Sequence, residues 1–176
     1  MKVSVYIGMS LDGCIATTDG GLDWLMELPN PDGSDFGFSE FMAGVDAVVM
    51  GRSTFDHVVK SGQWPYEKPV FVLSRNLVSL PEESEGKASL LRGSPREIMT
   101  EMENRGYGSI YVDGGNVVQQ FLNDDLVDEL ILTRIPVLLG SGIRLFANLE
   151  GKSHWKHEAT EVLAGQMVKS RYSKQG

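Results

Sequence analysis

The sequence has one cysteine, Cys14, and three histidines among 176 residues. A single cysteine excludes an internal disulfide, so we expect a reducing compartment, the cytoplasm. So few thiols and imidazoles cannot build the usual zinc sites. His154 and His157 lie three positions apart in a predicted strand, so their side chains point to opposite faces. We therefore expect no metal site.

Positive charge is also scarce, with 16 lysines and arginines against 24 acidic residues and a net charge of −8. This balance argues against a nucleic-acid partner. No apolar run approaches the length that spans a bilayer, and Met1-Lys2 leads directly into a strand pattern instead of a signal peptide. We expect no membrane partner, and an anionic ligand would need locally placed arginines.

Three common catalytic and nucleotide-binding motifs are missing. Gly140-Ser141-Gly142 is followed by Leu145 where a G-x-G-x-x-G fingerprint requires its third glycine, and no P-loop is present. No serine stands in a G-x-S-x-G elbow. Hydrolysis by a triad or by a metal is therefore not expected.

What the sequence does contain is a regular alternation of strand and helix patterns. Its 41% hydrophobic and 23% charged residues are ordinary for a globular protein, and its length suits one domain over residues 1–176. Trp155 to Leu163 and Gln166 to Tyr172 predict a closing antiparallel hairpin. We predict an α/β fold, a three-layer α/β/α sandwich with a mostly parallel central sheet.

The junction after Ala47-Val48-Val49-Met50 is the stretch most suggestive of function. This buried-strand pattern ends at Gly51-Arg52, where glycine permits close backbone approach and arginine suits phosphate. Ser53 or Thr54 is predicted to cap the following helix, whose N-terminus favours an anion. An ordinary strand-turn-helix with a solvated arginine explains the same residues.

Two later strands end in a comparable way. Val70 to Leu73 runs into Ser74-Arg75, and Ser109 to Asp113 runs into Gly114-Gly115. Ligands of open α/β sheets bind at such carboxyl ends. A Gly-Gly pair allows positive φ and close backbone approach, although a tight turn also explains it.

Five short motifs, in this order, resemble the dihydrofolate reductase superfamily. The nearer match is its branch related to the reductase domain of bacterial riboflavin biosynthesis (deaminase-reductase) proteins. The motifs are Ser10-Leu11-Asp12-Gly13 with Ile15-Ala16, Met50-Gly51-Arg52-Ser53-Thr54, Leu73-Ser74-Arg75, Val112-Asp113-Gly114-Gly115 and Pro136-Val137-Leu138-Leu139-Gly140-Ser141-Gly142. The resemblance covers essentially the whole chain and implies a dihydrofolate reductase-like fold. The zinc deaminase domain of the bifunctional riboflavin enzyme has no counterpart here.

The resemblance implies NADPH as cofactor, held along the carboxyl edge of the sheet. Positions matching the family's cofactor-binding segments are Ile15, Ala16, Gly51, Arg52, Thr54, Leu73, Ser74, Arg75, Gly114, Gly115, Asn116 and Val117. It also implies a homodimer through the closing hairpin.

The resemblance further implies catalytic roles for Asp35 and Thr133. A gapless count places Asp35 where the family's carboxylate bonds the substrate ring, with Thr133 supporting it. A plain helix N-cap is the alternative for Asp35. The implied activity is hydride transfer to a C=N or C=O carbon of a small heterocyclic substrate, either dihydrofolate-like or 5-amino-6-(5-phosphoribosylamino)uracil-like. The competing hypothesis is a non-catalytic nucleotide-binding module that keeps only the cofactor edge.

Overall fold

A computed structural model describes residues 1–84 and 86–176. One sheet has eight strands in the order β5-β4-β3-β6-β1-β7-β10-β9, and β2 and β8 form a separate two-stranded sheet. The elements are β1 Lys2–Ser10, β2 Cys14–Ala16, α1 Phe38–Ala43, β3 Ala47–Gly51, α2 Arg52–Lys60, β4 Val70–Leu73, β5 Ala88–Leu91, α3 Pro95–Asn104, β6 Ser109–Asp113, α4 Gly115–Asn123, β7 Glu129–Ile135, β8 Ile143–Arg144, β9 Trp155–Leu163 and β10 Met167–Lys174, with short 3₁₀ turns at Asp23–Leu25 and Glu82–Ser84.

The predicted three-layer sandwich is confirmed by the packing on the two faces of the sheet. Successive side chains of a strand point to opposite faces. On β3, Val49 faces a core that includes Phe121 of α4, whereas Met50 faces a core that includes Phe55 of α2. All four of these side chains are fully buried. Helices α3 and α4 therefore pack against one face of the sheet, and helices α1 and α2 pack against the other.

The direction of the strands also agrees with the prediction. β5, β4, β3, β6, β1 and β7 run parallel to their neighbours, and β10 and β9 add an antiparallel hairpin at one edge. Parallel strands need crossover connections, and the helices α1, α2, α3 and α4 lie in the connections from β2 to β3, β3 to β4, β5 to β6 and β6 to β7. The carboxyl ends of β1, β3, β4 and β6 consequently share one edge of the sheet.

The start of α2 differs from the sequence-based prediction. We expected Ser53 or Thr54 to cap the helix, but α2 begins at Arg52 with Gly51 as its N-cap and no side-chain cap hydrogen bond. Gly51 is still extended, at φ −77° and ψ 162°, and the next residue is already helical. The two hydroxyl residues are therefore inside the first turn, where they cannot cap it.

No helix in the described part of the chain is long and apolar enough to cross a membrane. Within residues 1–84 and 86–176, no three histidine, cysteine, aspartate or glutamate side chains are grouped so that they could hold a metal ion.

Candidate active site

A cleft of about 840 Å³ opens at the carboxyl edge of the sheet. This volume lies within the range of ligand and cofactor sites. The cleft brings together all twelve positions predicted for cofactor binding, which are Ile15, Ala16, Gly51, Arg52, Thr54, Leu73, Ser74, Arg75, Gly114, Gly115, Asn116 and Val117. These positions come from segments far apart in sequence, and the parallel strand order is what makes them neighbours.

Two helices direct their N-termini at this cleft. α2 and α4 each have nine residues and a glycine N-cap, and neither has a side-chain cap hydrogen bond. By contrast, α3 is capped by its own Ser94 and Glu97 in a reciprocal capping box. The first N–H groups of an uncapped helix, together with the helix dipole, favour a bound anion. The two helices that reach the cleft thus leave their N-termini available to a ligand.

Two arginines add full positive charges at the same edge. The Nε of Arg52 lies 3.2 Å from Oδ2 of Asp56, an exposed pair one helical turn apart. Such surface pairs contribute about 0–1 kcal/mol. Arg52 can therefore exchange this partner for a phosphate at little cost. Arg75, just after β4, is exposed and lines the cleft as well.

The two glycines between β6 and α4 serve different purposes. Gly114 has φ of +90°, and a Cβ there would collide with Oγ1 of Thr54. Gly115 needs no unusual φ, but a Cβ there would lie 2.7 Å from Cδ1 of Ile15. The first glycine meets a backbone requirement, and the second allows α4 to approach the β2 segment closely.

This difference predicts unequal effects of alanine at the two positions. Gly114→Ala is expected to lower the free energy of unfolding by about 1–3 kcal/mol, because the backbone conformation is strained for an L residue. Gly115→Ala should remain within about 1 kcal/mol of the wild type, since the flexible end of Ile15 can move and alanine favours helix. Urea unfolding of both variants checks this, and equal losses would contradict it.

Asp113 is the residue that the sequence-based reasoning missed. Of the described residues lining the cleft, it alone carries a carboxyl group, and it is only partly exposed. Its Oδ1 accepts the N–H of Gly114 at 2.8 Å, and its Oδ2 accepts a longer hydrogen bond, 3.4 Å, from the hydroxyl of Tyr66. Burial raises the pKa of Asp113 although these hydrogen bonds act to lower it. Its position at the end of a strand, before the Gly-Gly pair, was the available signal.

Two tyrosines of the cleft are hydrogen-bonded to backbone carbonyl groups. The hydroxyl of Tyr111 donates to the carbonyl of Tyr6 at 2.9 Å, and the hydroxyl of Tyr6 donates to the carbonyl of Phe36 at 2.7 Å. Both tyrosines line the cleft. Burial and, to a smaller extent, the negative charge of Asp35 raise the pKa of Tyr6 to about 12, so its hydroxyl group is protonated and uncharged at neutral pH.

Asp35 and Thr133 are not among the described residues that line the cleft. The carboxylate of Asp35 is exposed and accepts the N–H groups of Gly37 and Ser39, each at 2.9 Å, at the start of α1. Hydrogen bonds, above all from Ser39, lower the pKa of Asp35 to about 2. The N-cap of α1 is Gly37, so Asp35 is not the N-cap that the sequence left open; its carboxylate accepts these two N–H groups from a position two residues before the N-cap. Thr133 is buried in β7, paired with Gly8 on β1.

Comparison with known proteins points to one family. The model of the RibD C-terminal domain matches residues 1–169. The curated sequence of the uncharacterized protein YwjB from Bacillus subtilis is 36% identical over 174 residues, covering 97% of both chains.

Solved structures resemble the whole chain. A protein from Shewanella sp. PV-4, named provisionally as a riboflavin biosynthesis protein, is 41% identical with a TM-score of 0.96 and full coverage of both chains. The deaminase/5-amino-6-(5-phosphoribosylamino)uracil reductase of Thermotoga maritima is 18% identical with a TM-score of 0.78, and the match spans 99% of this chain and 56% of that one. Dihydrofolate reductase from Enterococcus faecalis, complexed with NADP(H), is 16% identical with a TM-score of 0.70, covering 99% and 97% of the two chains. The last two likenesses establish a shared dihydrofolate reductase-like fold.

Proposed function

Because the chain belongs to the RibD C-terminal domain family, we propose that it is an NADPH-dependent reductase of a small heterocyclic substrate. The reaction is reduction of a C=N or C=O carbon in a pterin-like or dihydrofolate-like ring, or in a pyrimidine of riboflavin biosynthesis. The observation that carries this proposal is the meeting of two uncapped helix N-termini, two arginines and a partly buried carboxyl group in one cleft.

The residues of the cleft fit a dinucleotide with several phosphates. Arg52 and the N-terminus of α2 suit one phosphate, and Ser74 with Arg75 suits a 2′-phosphate. Gly115 and the N-terminus of α4 suit the pyrophosphate and the neighbouring ribose, while Ile15 and Ala16 supply an apolar wall for the nicotinamide. NADPH, when bound, supplies the hydride.

Asp113 has the chemistry of a proton donor for this reaction. A C=N nitrogen that accepts a pair of electrons during reduction also takes up one proton, and burial raises the pKa of Asp113, which makes its carboxyl group easier to protonate than that of an exposed aspartate. Transfer breaks the carboxyl O–H bond, forms the N–H bond and leaves a carboxylate. The Gly114 N–H and the Tyr66 hydroxyl then stabilise that carboxylate by hydrogen bonding. Solvent restores the proton for the next turnover.

One observation favours a second candidate, a nucleotide-binding module without catalysis. All twelve cofactor positions line the cleft, whereas Asp35 and Thr133 do not. This distribution is expected of a protein that has kept the residues for cofactor binding and lost those for substrate binding. Asp113 is the feature that supports the reductase instead.

The test is consumption of NADPH against a substrate panel. Binding is measured first by fluorescence titration, and oxidation of NADPH is then followed with dihydrofolate, other pterins and riboflavin-pathway pyrimidines. Substrate-dependent oxidation supports the reductase. Tight binding with no oxidation by any of these substrates supports the binding module, and absence of NADPH binding would contradict both.

We also propose a homodimer that uses the closing hairpin. Among the described residues, β9 is the outer strand at one side of the sheet and pairs only with β10, and Val162 on it is 64% exposed. An exposed edge of this kind favours pairing with a second copy. Met167, by contrast, packs against Trp24 and Ile135 within its own chain. Sedimentation at micromolar concentration is expected to show a dimer, and a monomer there would reject the proposal.

A further inference from the structure

The turn between β1 and β2 is tied to a distant loop by one carboxylate. Asp12 Oδ1 accepts the hydroxyl of Ser10 at 2.6 Å and the N–H of Leu139 at 3.1 Å, and Oδ2 accepts the N–H of Gly140 at 2.8 Å. We propose that Asp12 is a positioning residue, which holds the apolar wall of the cleft in place through this loop. The inference rests on the proposed function.

The loop held by Asp12 continues into the strand that supports the wall. β8 pairs with β2, bringing Arg144 opposite Cys14 and Ile143 opposite Ala16. Two further hydrogen bonds join the segments: Nη1 of Arg144 donates to the carbonyl of Asp12 at 3.2 Å, and the N–H of Leu145 donates to the carbonyl of Gly13 at 3.0 Å.

The loop before β8 is also closely packed against β2. A Cβ at Gly142 would lie 2.5 Å from the carbonyl oxygen of Ala16 and 3.2 Å from Sγ of Cys14. The loop backbone is therefore in direct contact with the back of the wall. A displacement of the loop would move Ala16, and Ile15 beside it, relative to the cleft.

β8 and the residue after it are also hydrogen-bonded to α4, the helix that borders the cleft. The side-chain amide of Gln119 on α4 donates to the carbonyls of Arg144 and Leu145, each at 3.0 Å. Gln119 is buried and also lines the cleft. The side chains of Asp12 and Gln119 thus hold the loop on either side of the Ile15–Ala16 wall, in addition to main-chain hydrogen bonds such as that from Leu11 N–H to the carbonyl of Val137 at 2.8 Å.

The β2–β8 sheet is too short to hold this arrangement by itself. β2 has three residues and β8 has two, and an isolated two-stranded sheet is marginal in water. The carboxylate of Asp12 therefore adds two hydrogen bonds, from the N–H groups of Leu139 and Gly140, to the main-chain hydrogen bonds of this segment. Hydrogen bonds, first from Ser10 and then from Leu139, lower the pKa of Asp12 to about 2, so the acceptor stays charged at neutral pH.

The proposal is tested by measuring how the Asp12→Ala substitution changes the binding affinity of two ligands, NADPH and 2′,5′-ADP. Under the proposed function NADPH reaches the Ile15–Ala16 wall with its nicotinamide, whereas 2′,5′-ADP carries the adenosine and the 2′-phosphate but no nicotinamide. We expect Asp12→Ala to weaken NADPH binding by at least about tenfold, because the loop loses the hydrogen bonds of Leu139 and Gly140 that hold the wall in place, and to leave 2′,5′-ADP binding within about twofold. Equal weakening of both ligands, or of neither, would overturn the proposal.

Asp46→Ala is a matched control. Its carboxylate likewise accepts backbone N–H groups, from Gly108 at 2.8 Å and Ser109 at 2.9 Å, but at the amino ends of β3 and β6. This variant should lower stability and leave the ratio of the two affinities unchanged. Asp12→Asn, which keeps the size and one oxygen acceptor, should recover part of the NADPH affinity and serves if Asp12→Ala does not fold.

A measurement without ligand separates this proposal from the proposed cofactor. Amide hydrogen exchange at residues 14–16 and 143–145 should be faster in Asp12→Ala or Asp12→Asn than in the wild type, and unchanged in Asp46→Ala. Unchanged exchange in the Asp12 variants would reject the positioning role even if NADPH binds. Faster exchange in a protein that binds no NADPH would leave Asp12 as the clamp of this wall and reject the cofactor.

Discussion

Asp113→Asn is expected to lower turnover by about 10²–10⁴-fold while NADPH still binds, because the amide keeps the size of the side chain but cannot supply the proton. Its oxygen can still accept the N–H of Gly114, which now lies 2.8 Å from Oδ1. The effect should therefore appear in kcat for an identified substrate, and the NADPH dissociation constant should change little. Unchanged kcat would remove Asp113 from the reaction.

The pH dependence gives a second, independent signature of the same carboxyl group. The protonated form is the active one, so turnover is fully present below the pKa of Asp113 and declines as pH rises through it. Because burial raises this pKa, the decline should occur above the ordinary aspartate value near 4. The decline should be absent from the residual activity of Asp113→Asn.

Asp124→Asn is the control for this experiment. Asp124 follows the other end of α4, where its carboxylate lies 4.0 Å from Nε of Arg96, and it does not line the cleft. The Asp124→Asn variant tests whether the removal of a negative charge near α4 is by itself enough to change kcat. We expect wild-type kcat and a wild-type pH profile, and a loss like that of Asp113→Asn would contradict the assigned role.

The wild-type protein is expected to bind NADPH more tightly than NADH by about 1–3 kcal/mol, or about 5-fold to 150-fold. The two cofactors differ by the 2′-phosphate, and a guanidinium forms charge-assisted, often bidentate, bonds with that group. Ser74 and Arg75 at the end of β4, with Arg52 at the start of α2, are the residues that would make them. Fluorescence titration of both cofactors measures the difference.

Variants identify the arginine responsible. Arg75→Gln should remove most of the preference for NADPH and change NADH binding little, because NADH lacks the phosphate. Arg105→Gln is a suitable control, since Arg105 is an exposed residue after α3 that pairs with Glu101 and does not line the cleft. Equal affinities of the wild type for the two cofactors would overturn the assignment of Arg52, Ser74 and Arg75.

The sequence by itself determined the layers of the fold and the edge that carries the cleft. Apolar runs such as Val70 to Leu73, alternating with amphipathic helices, can bury their surfaces only as a sheet covered on both faces. Parallel strands then bring their carboxyl ends together, so residues read as strand ends, such as Gly51, Arg75 and Gly114, had to become neighbours. Local pattern is sufficient for such features because each depends on the periodicity of one short segment.

The tertiary structure alone decided which groups each carboxylate contacts and where it lies relative to the cleft. Asp113 and Tyr66 are 47 positions apart, and Asp12 and Leu139 are 127 apart, so neither pairing is visible in a local pattern. The sequence left Asp35 open to a helix N-cap or a substrate carboxylate, and the structure puts Gly37 at the N-cap and Asp35 outside the described lining of the cleft. The physical reason is that the protonation and the partners of a carboxyl group depend on burial and on donors from remote segments. Those are properties of the packed chain, set after the strands and helices have formed.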